Sequence, residues 1–127
     1  MTASPPCGAL DMLAFLPARD FARTQQFYLE LGFERVWADG RLARFQMDGC
    51  AFMLQDFYVE AHAHNCMMHL RVAKLDDWWA HVNTLDLEHR YGSRLEAPAR
   101  RPWKMRDFVL TDPGGVLWRI AEHCRNT

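Results

Sequence analysis

One order of predicted elements occurs twice in this chain of 127 residues. A strand, a helix and three short strands are predicted first, and the same order restarts after a polar stretch. The two helices are predicted to begin at Asp20 and Asp76, 56 residues apart, and at that offset residues 12–16 align with residues 68–72. Repeated units of this kind bury their apolar faces by packing on one another. The sequence therefore predicts a single domain, residues 1–127, made of two similar modules.

Module one is predicted to span about residues 9–58 and module two about residues 66–124. In module one, residues 10–16 are mostly apolar and predict a buried strand that ends at Pro17. Aspartate is a preferred N-cap and glycine a common helix stop, so a helix is predicted from Asp20 to Leu31, before Gly32. Its apolar face consists of Phe21, Phe27, Tyr28 and Leu31.

Two hairpin signals divide the rest of module one. Asp39-Gly40 and Asp48-Gly49 are dipeptides that favour tight two-residue turns. They separate three predicted strands, at residues 33–37, 41–47 and 50–55. The polar residues 56–65 are predicted to connect the two modules without regular structure.

Module two is predicted to begin with a strand at residues 66–73 and a helix whose N-cap is Asp76. The apolar stripe of that helix consists of Leu75, Trp78, Trp79, Val82 and Leu85. A strand near residues 90–95 and a long charged loop over residues 96–104 are predicted to follow.

The last hairpin has the clearest turn signal. Apolar runs at residues 108–110 and 116–120 flank the tetrapeptide Asp112-Pro113-Gly114-Gly115. Proline fixes φ at a turn corner, and glycine accepts the positive φ that a tight reversal needs. We therefore predict a hairpin over residues 105–122 in which Gly114 or Gly115 has positive φ.

Composition excludes several classes of protein. The net charge of −1 argues against a nucleic-acid partner, and no apolar run approaches the length of a membrane span. The N-terminal residues lack the features of a signal peptide, and the four cysteines include no C-x-x-C pair. We therefore expect a cytoplasmic protein with reduced thiols.

Three motifs in this order resemble one known family. They are PARDFARTQQFYLELGF at residues 17–33, HLRVAKLDDWWAHV at residues 69–82 and RDFVLTDPGGVLWRI at residues 106–120. Together they resemble the vicinal oxygen chelate superfamily of glyoxalases, bleomycin resistance proteins and extradiol dioxygenases, and in particular its bleomycin-resistance-like branch. The resemblance implies an α+β fold in which two βαβββ modules form curved mixed sheets around a shared cavity.

The resemblance also implies where a metal ion would bind in the enzymes of that family. The four ligand positions correspond to Leu13, Met53, His69 and Arg119, although a slip of one residue would exchange Met53 for Phe52 or Leu54. Leucine, methionine and arginine are unsuitable ligands for a hard divalent ion. We therefore predict no metal site and no cofactor. His62 and His64 offer a second possible metal site, but a solvated connector is the favoured interpretation.

Strand alternation places several polar and aromatic residues on faces that could line the cavity. The predicted ligand-binding residues are His69, Arg71, Arg119, Trp103, Asp11 and Phe15. The alternative is a buried polar network, in which Asp11 or Asp107 pairs with the cations and stabilises the sheet. For Trp103 the alternative is a ring that caps the edge of the core.

We predict a small-molecule-binding protein, and no catalytic residue is assigned. Bleomycin-family drugs are cationic, so the inward arginines argue against bleomycin itself as the ligand. The alternatives are a metal-dependent lyase or dioxygenase of the same superfamily and a protein that acts through protein contacts alone. A homodimer is expected, because the Pro5-Pro6 arm is suited to packing on a partner. Whether the cavity forms within one chain or across the dimer is left open.

Overall fold

The structure, a computed structural model, describes residues 4–124. Module one contains five elements: β1 (Phe15–Pro17), α1 (Phe21–Leu31), β2 (Glu34–Ala38), β3 (Leu42–Met47) and β4 (Cys50–Gln55). A short helix, α2 (Glu60–Ala63), lies in the connection. Module two contains β5 (Met67–Arg71), α3 (Leu75–Asn83), α4 (Leu87–Tyr91), β6 (Leu95–Arg100), β7 (Met105–Thr111) and β8 (Leu117–His123). No helix in the described part of the chain is long and apolar enough to cross a membrane.

The strands form two four-stranded sheets with the same topology. Their orders are β1-β4-β3-β2 and β5-β8-β7-β6. In each sheet the first and last strands of the module pair in parallel, and the other pairs are antiparallel. This arrangement confirms the predicted α+β fold with two βαβββ modules.

One face of each sheet, which we call the inner face, packs against the helices. On module one it carries Phe45, Phe52 and Leu54, and on module two it carries Phe108, Trp118 and Ile120. The rings of Phe52 and Trp118 lie 5.5 Å apart, centroid to centroid, so the two inner faces meet in one core. Burial of these large side chains is the main source of stability.

A buried hydrogen-bond chain joins the two modules inside this core. The Tyr28 hydroxyl donates to Asp112 Oδ2 at 2.6 Å and accepts from Trp118 Nε1 at 2.9 Å. Burial raises the pKa of the Asp112 carboxyl, although hydrogen bonds such as that from Tyr28 oppose the rise. Burial and the nearby Asp112 carboxylate hold the pKa of Tyr28 well above its usual value. These hydrogen bonds therefore hold the turn between β7 and β8 of module two against α1 of module one.

The predicted helix, hairpins and last turn of the two modules are largely confirmed. Asp20 caps α1 by accepting from the Arg23 backbone N–H at 3.1 Å, and Gly32 ends the helix. The two Asp-Gly turns connect β2 to β3 and β3 to β4. In the last hairpin Gly115 has a φ of 98°, while Gly114 has no positive φ.

The predicted buried strand at residues 10–16 is wrong at its N-terminal end. Only Phe15–Pro17 forms β1, and Leu10 and Met12 are each 95% exposed. The Ala14 carbonyl accepts from the Met53 backbone N–H at 2.9 Å, which is where pairing with β4 begins. An apolar sequence is buried only where another surface covers it, and residues 10–13 do not pair with β4.

Two predictions in module two are also wrong. Residues 87–91 form α4 where a strand near 90–95 was predicted, and β6 occupies most of the predicted loop 96–104. Pro98 lies in β6, an edge strand with a register shift between Glu96 and Ala99, where proline is tolerated.

The start of α3 and the connection between the two modules also differ from the predictions. The N-cap of α3 is Lys74, and Asp76 lies in the first turn. Asp76 accepts a hydrogen bond from Arg106 at 2.8 Å. The connection predicted to be irregular contains α2, so His62 and His64 lie in and directly after a helical turn and not on an extended segment.

Candidate functional site

No helix in the described residues packs on the second face of each sheet, which we call the outer face. Paired residues of neighbouring strands point to the same side of a sheet. On module two the register pairs His69 with Arg119 and Arg119 with Val109, so these side chains form one row across β5, β8 and β7. Arg71, Ala121 and Asp107 form the next row. The neighbours in sequence, Leu70 and Trp118, lie on the inner face.

An ion triad lies at the centre of the outer face of module two. The Asp107 carboxylate is completely buried. Its Oδ1 accepts from Arg101 Nε at 2.9 Å and from Arg119 Nη1 at 3.2 Å. Each arginine side chain is 24% exposed. Two guanidinium groups thus share one carboxylate, which leaves one net positive charge at the surface.

The indole of Trp103 completes this group of side chains. Trp103 lies in the turn between β6 and β7, which is closed by the Lys104 N–H donating to the Arg101 carbonyl at 3.2 Å. The Arg119 guanidinium carbon lies 6.0 Å from the centroid of the Trp103 ring, within the range of a cation–π contact. Because the ring is 56% exposed, it does not cap the core as the alternative interpretation required.

The outer face of module one is more apolar. Phe15, Met53, Arg44 and Trp37 form one row across its four strands. Phe15 is 53% exposed, whereas Met53 is buried. Arg44 Nη1 lies 3.7 Å from Asp11 Oδ2, a loose and exposed ion pair. Phe52 and Leu54 lie in the inner core, so Met53 is the residue of β4 that faces outward here.

The structure brings four of the six predicted site residues to one face. His69, Arg71 and Arg119 share the outer face of module two, and Trp103 lies above Arg119. Asp11 and Phe15 belong to the outer face of module one. The inner faces of both sheets meet in the core, so the two outer faces of one chain point away from each other. A cavity of about 380 Å³ near Asp11 is lined by residues of module one, between Leu10 and Ala51.

Sequence reasoning missed three residues of these faces. Arg101 was predicted to lie in a loop. Trp37 was predicted to lie in a strand, but it was not assigned to either face of the sheet. Asp107 was considered only as a partner in a structural network. A signal did exist for Asp107, because an aspartate inside the apolar strand 105–111 requires a partner once it is buried.

The side chains at the four implied metal-ligand positions do not fit a divalent ion. His69 is the one conventional ligand, while Leu13 and Met53 carry no oxygen or nitrogen donor. At the fourth position the Arg119 guanidinium is held by Asp107. Among residues 4–124, no three histidine, cysteine, aspartate or glutamate side chains converge to hold a metal ion.

Comparison with known proteins agrees with this architecture. A bleomycin-binding protein complexed with bleomycin superposes with a TM-score of 0.78 at 25% sequence identity, over 91% of this chain and 99% of that one. A lactoylglutathione lyase from Agrobacterium tumefaciens gives a TM-score of 0.68 at 19% identity, over 92% and 95%. An antibiotic-binding protein from a Streptomyces species gives 0.71 at 20% identity, over 92% and 99%. The last two likenesses concern the fold alone.

Sequence comparisons complete the assignment. Curated protein sequences give no match to the chain. The family model for the Glyoxalase/Bleomycin resistance protein/Dioxygenase superfamily matches residues 9–120, most of the chain. Both the matched span and the paired βαβββ modules lead to one conclusion: the chain belongs to the glyoxalase/bleomycin resistance protein/dioxygenase superfamily.

Proposed function

We propose that this protein binds a small molecule on the outer face of module two, without a metal ion in the site. The observation that carries the proposal is the composition of that face. Met67 is 58% exposed and Trp103 is 56% exposed, and they lie beside the polar pair His69 and Arg119. Small-molecule sites combine apolar and aromatic walls with a few polar groups that orient the ligand.

The outer face of one chain is too open to enclose a ligand, and we propose that a second copy completes it. In this arrangement the outer face of module one, with Phe15 and Trp37, covers the outer face of module two of the partner. The extended residues 10–14 would then pack on the partner, which accounts for the full exposure of Leu10 and Met12 in the isolated chain. The proposed binding site therefore lies across a homodimer.

The structural relative with bleomycin supports small-molecule binding in general, because that protein is complexed with bleomycin. For this chain we propose a different ligand. The arginines of the outer face would repel a cationic drug, and the nearby carboxylate of Asp107 is already shared by two of them.

Light scattering tests the assembly. At about 10 μM, within the range at which specific dimers assemble, we expect the mass of two chains. Met12→Lys, which introduces a charge in the extended arm, is expected to shift the protein towards monomer without lowering secondary-structure content. A monomeric wild type would contradict the dimeric site.

A neutral fluorescent probe, N-phenyl-1-naphthylamine, tests the binding face. We expect saturable fluorescence enhancement in the wild type and its loss in Met67→Asp. Phe57→Asp is the matched control, because Phe57 is also 58% exposed but lies in the connection after β4. Equal loss in both variants, or no enhancement in the wild type, would contradict the proposed face.

Metal analysis tests the remaining part of the proposal. Protein purified without chelators is expected to contain manganese, iron, nickel and zinc well below one ion per chain. A stoichiometric ion would overturn the metal-free site and would favour a metal-dependent lyase or dioxygenase.

A further inference from the structure

The charges on the outer face of module two do not balance. By strand register, Asp107 and Glu96 are the carboxylates on this face within the described β5–β8 sheet. Glu96 Oε2 lies 2.8 Å from Arg94 Nε, and Asp107 is shared by Arg101 and Arg119. Arg71 and one net charge of the triad therefore lack a carboxylate partner on this face.

The triad also holds Arg119 in a fixed orientation. Both contacts with Asp107 use the same nitrogen, Nη1, at 3.2 Å and 3.4 Å from the two carboxylate oxygens. Within residues 4–124, Nη2 and Nε of Arg119 donate no hydrogen bond, so both can donate to a ligand. A guanidinium group can offer two parallel donors to a carboxylate, and a partner that already fixes the group reduces the entropy lost on binding.

The guanidinium of Arg119 favours an anionic ligand, and the side chains around it favour an aromatic one. Trp103 lies on the guanidinium at 6.0 Å, and His69 is next to it in register. Met67, on the same strand and face as His69, supplies an exposed apolar surface two residues away. Flat rings pack well against indole and thioether groups.

We propose that Arg119, Trp103 and His69 form a subsite for an aromatic carboxylate. The carboxylate accepts hydrogen bonds from the free side of the Arg119 guanidinium, and the ring of the ligand packs against Trp103 and Met67. Arg101 supplies the second positive charge that keeps Asp107 from neutralising Arg119. This subsite rests on the proposed function, because it names the class of ligand for the same face.

Calorimetric titration with three probes of one shape tests the subsite. The probes are 2-naphthoate, naphthalene-2-carboxamide and 2-naphthylmethylammonium. In the wild-type protein at low salt, we expect 2-naphthoate to bind about 10-fold or more tightly than the carboxamide, as a charged hydrogen-bonded pair permits. The ammonium probe is expected to bind more weakly than the carboxamide.

Variants test whether the preference for 2-naphthoate over the carboxamide depends on Arg119. Arg119→Met is expected to reduce the preference for naphthoate to about 2-fold or less while carboxamide binding stays within about 2-fold, because the apolar contacts remain. Arg119→Lys should retain part of the preference, since lysine keeps the charge but loses the paired donors. Arg41→Met, which makes the same charge change at an exposed hairpin turn, should behave as wild type.

The outcomes separate this inference from the proposed function. Equal affinities for naphthoate and carboxamide in the wild type would overturn the carboxylate subsite, while binding of N-phenyl-1-naphthylamine would leave the small-molecule site intact. A naphthoate preference that survives in Arg119→Met would also overturn it. Loss of binding for all probes, including the neutral one, would overturn both.

Discussion

The two modules share a topology but differ in the chemistry of their outer faces. In each, the first strand pairs in parallel with the last: Phe15 lies opposite Met53 in module one, and His69 lies opposite Arg119 in module two. Module one fills this row with apolar side chains and one exposed ion pair. Module two fills it with a histidine and an arginine above a buried carboxylate.

This difference indicates that the fold depends on the inner faces, which are apolar in both modules. The outer faces can differ in composition because no helix of residues 4–124 packs on them. The proposed binding site uses this difference: the polar groups of module two would orient the ligand, and the apolar outer face of module one of a second copy would cover it.

The largest expected effect is a loss of stability that distinguishes the ion pairs of the two outer faces. Asp107→Ala leaves Arg101 and Arg119 without their shared carboxylate, and loss of one partner from a buried ion pair costs about 3 kcal/mol. Asp11→Ala removes a partner of Arg44 at an exposed site, where an ion pair contributes less than about 1 kcal/mol. Urea unfolding of both variants measures the contrast. Similar losses would show that the two faces do not differ as described.

An intermediate effect is expected from the turns that close the last hairpin of each module. Alanine at Gly115 would have to adopt a φ of 98°, and its Cβ would meet the exposed His64 side chain at 2.5 Å. We expect Gly115→Ala to lower the free energy of unfolding by about 1–2 kcal/mol. Gly49→Ala, in the β3–β4 turn, has no atom within 4 Å of its Cβ.

Thermal and urea unfolding of both glycine variants check this prediction. Gly49→Ala is expected to stay close to wild type. The double variant Gly115→Ala with His64→Ala should recover only part of the loss, because it removes the close contact but not the positive φ. An unchanged midpoint for Gly115→Ala would contradict the turn geometry.

The smallest expected effect concerns a contact between the modules at alkaline pH. The Tyr91 hydroxyl of module two donates to Glu30 of module one, and Arg90 Nη2 donates to the same carboxylate at 2.6 Å. Burial and the hydrogen bond to Glu30 raise the pKa of Tyr91 to about 12. In the unfolded chain tyrosine ionises near pH 10, about two units lower. The contribution of Tyr91 is therefore complete below about pH 10 and declines as the pH rises towards 12.

Urea titrations of wild type and Tyr91→Phe at several pH values test this expectation. The stability difference between the two proteins should narrow above about pH 10, because phenylalanine has no proton to lose. Comparison with the variant is needed because the buried Tyr28 also has a raised pKa and contributes its own alkaline loss. A constant difference across this range would contradict the assigned coupling to Glu30.

Much of the fold could be predicted because its signals are local. Asp20 and Gly32 specify the two ends of α1, and the Asp-Gly dipeptides specify two turns. The prediction failed where a segment depends on distant partners. Leu10 and Met12 are apolar, but no surface of the described residues covers them, and residues 87–91 form a helix because Leu87 and Tyr91 are buried in the core.

The candidate site, like the fold, could be predicted from the sequence only in part. The family resemblance placed His69 and Arg119 at two of the four implied ligand positions, and strand alternation assigned them to faces that could line the cavity. Their actual pairing in register required the parallel contact of β5 with β8, which joins residues 50 positions apart. The pairing of Arg101 with Asp107 depended on a tight turn where a long loop was predicted.

The sequence by itself determined the two βαβββ modules, the inner and outer alternation of their strands and the absence of a conventional ligand set at the four implied positions. These properties follow from local turn chemistry and from a side-chain period of two. Only the tertiary structure decided that Asp107 is buried between two arginines, that Trp103 lies on Arg119 and that the two outer faces of one chain point apart. Those outcomes depend on which surfaces meet, and a surface is defined only when distant strands have paired and the inner faces have packed.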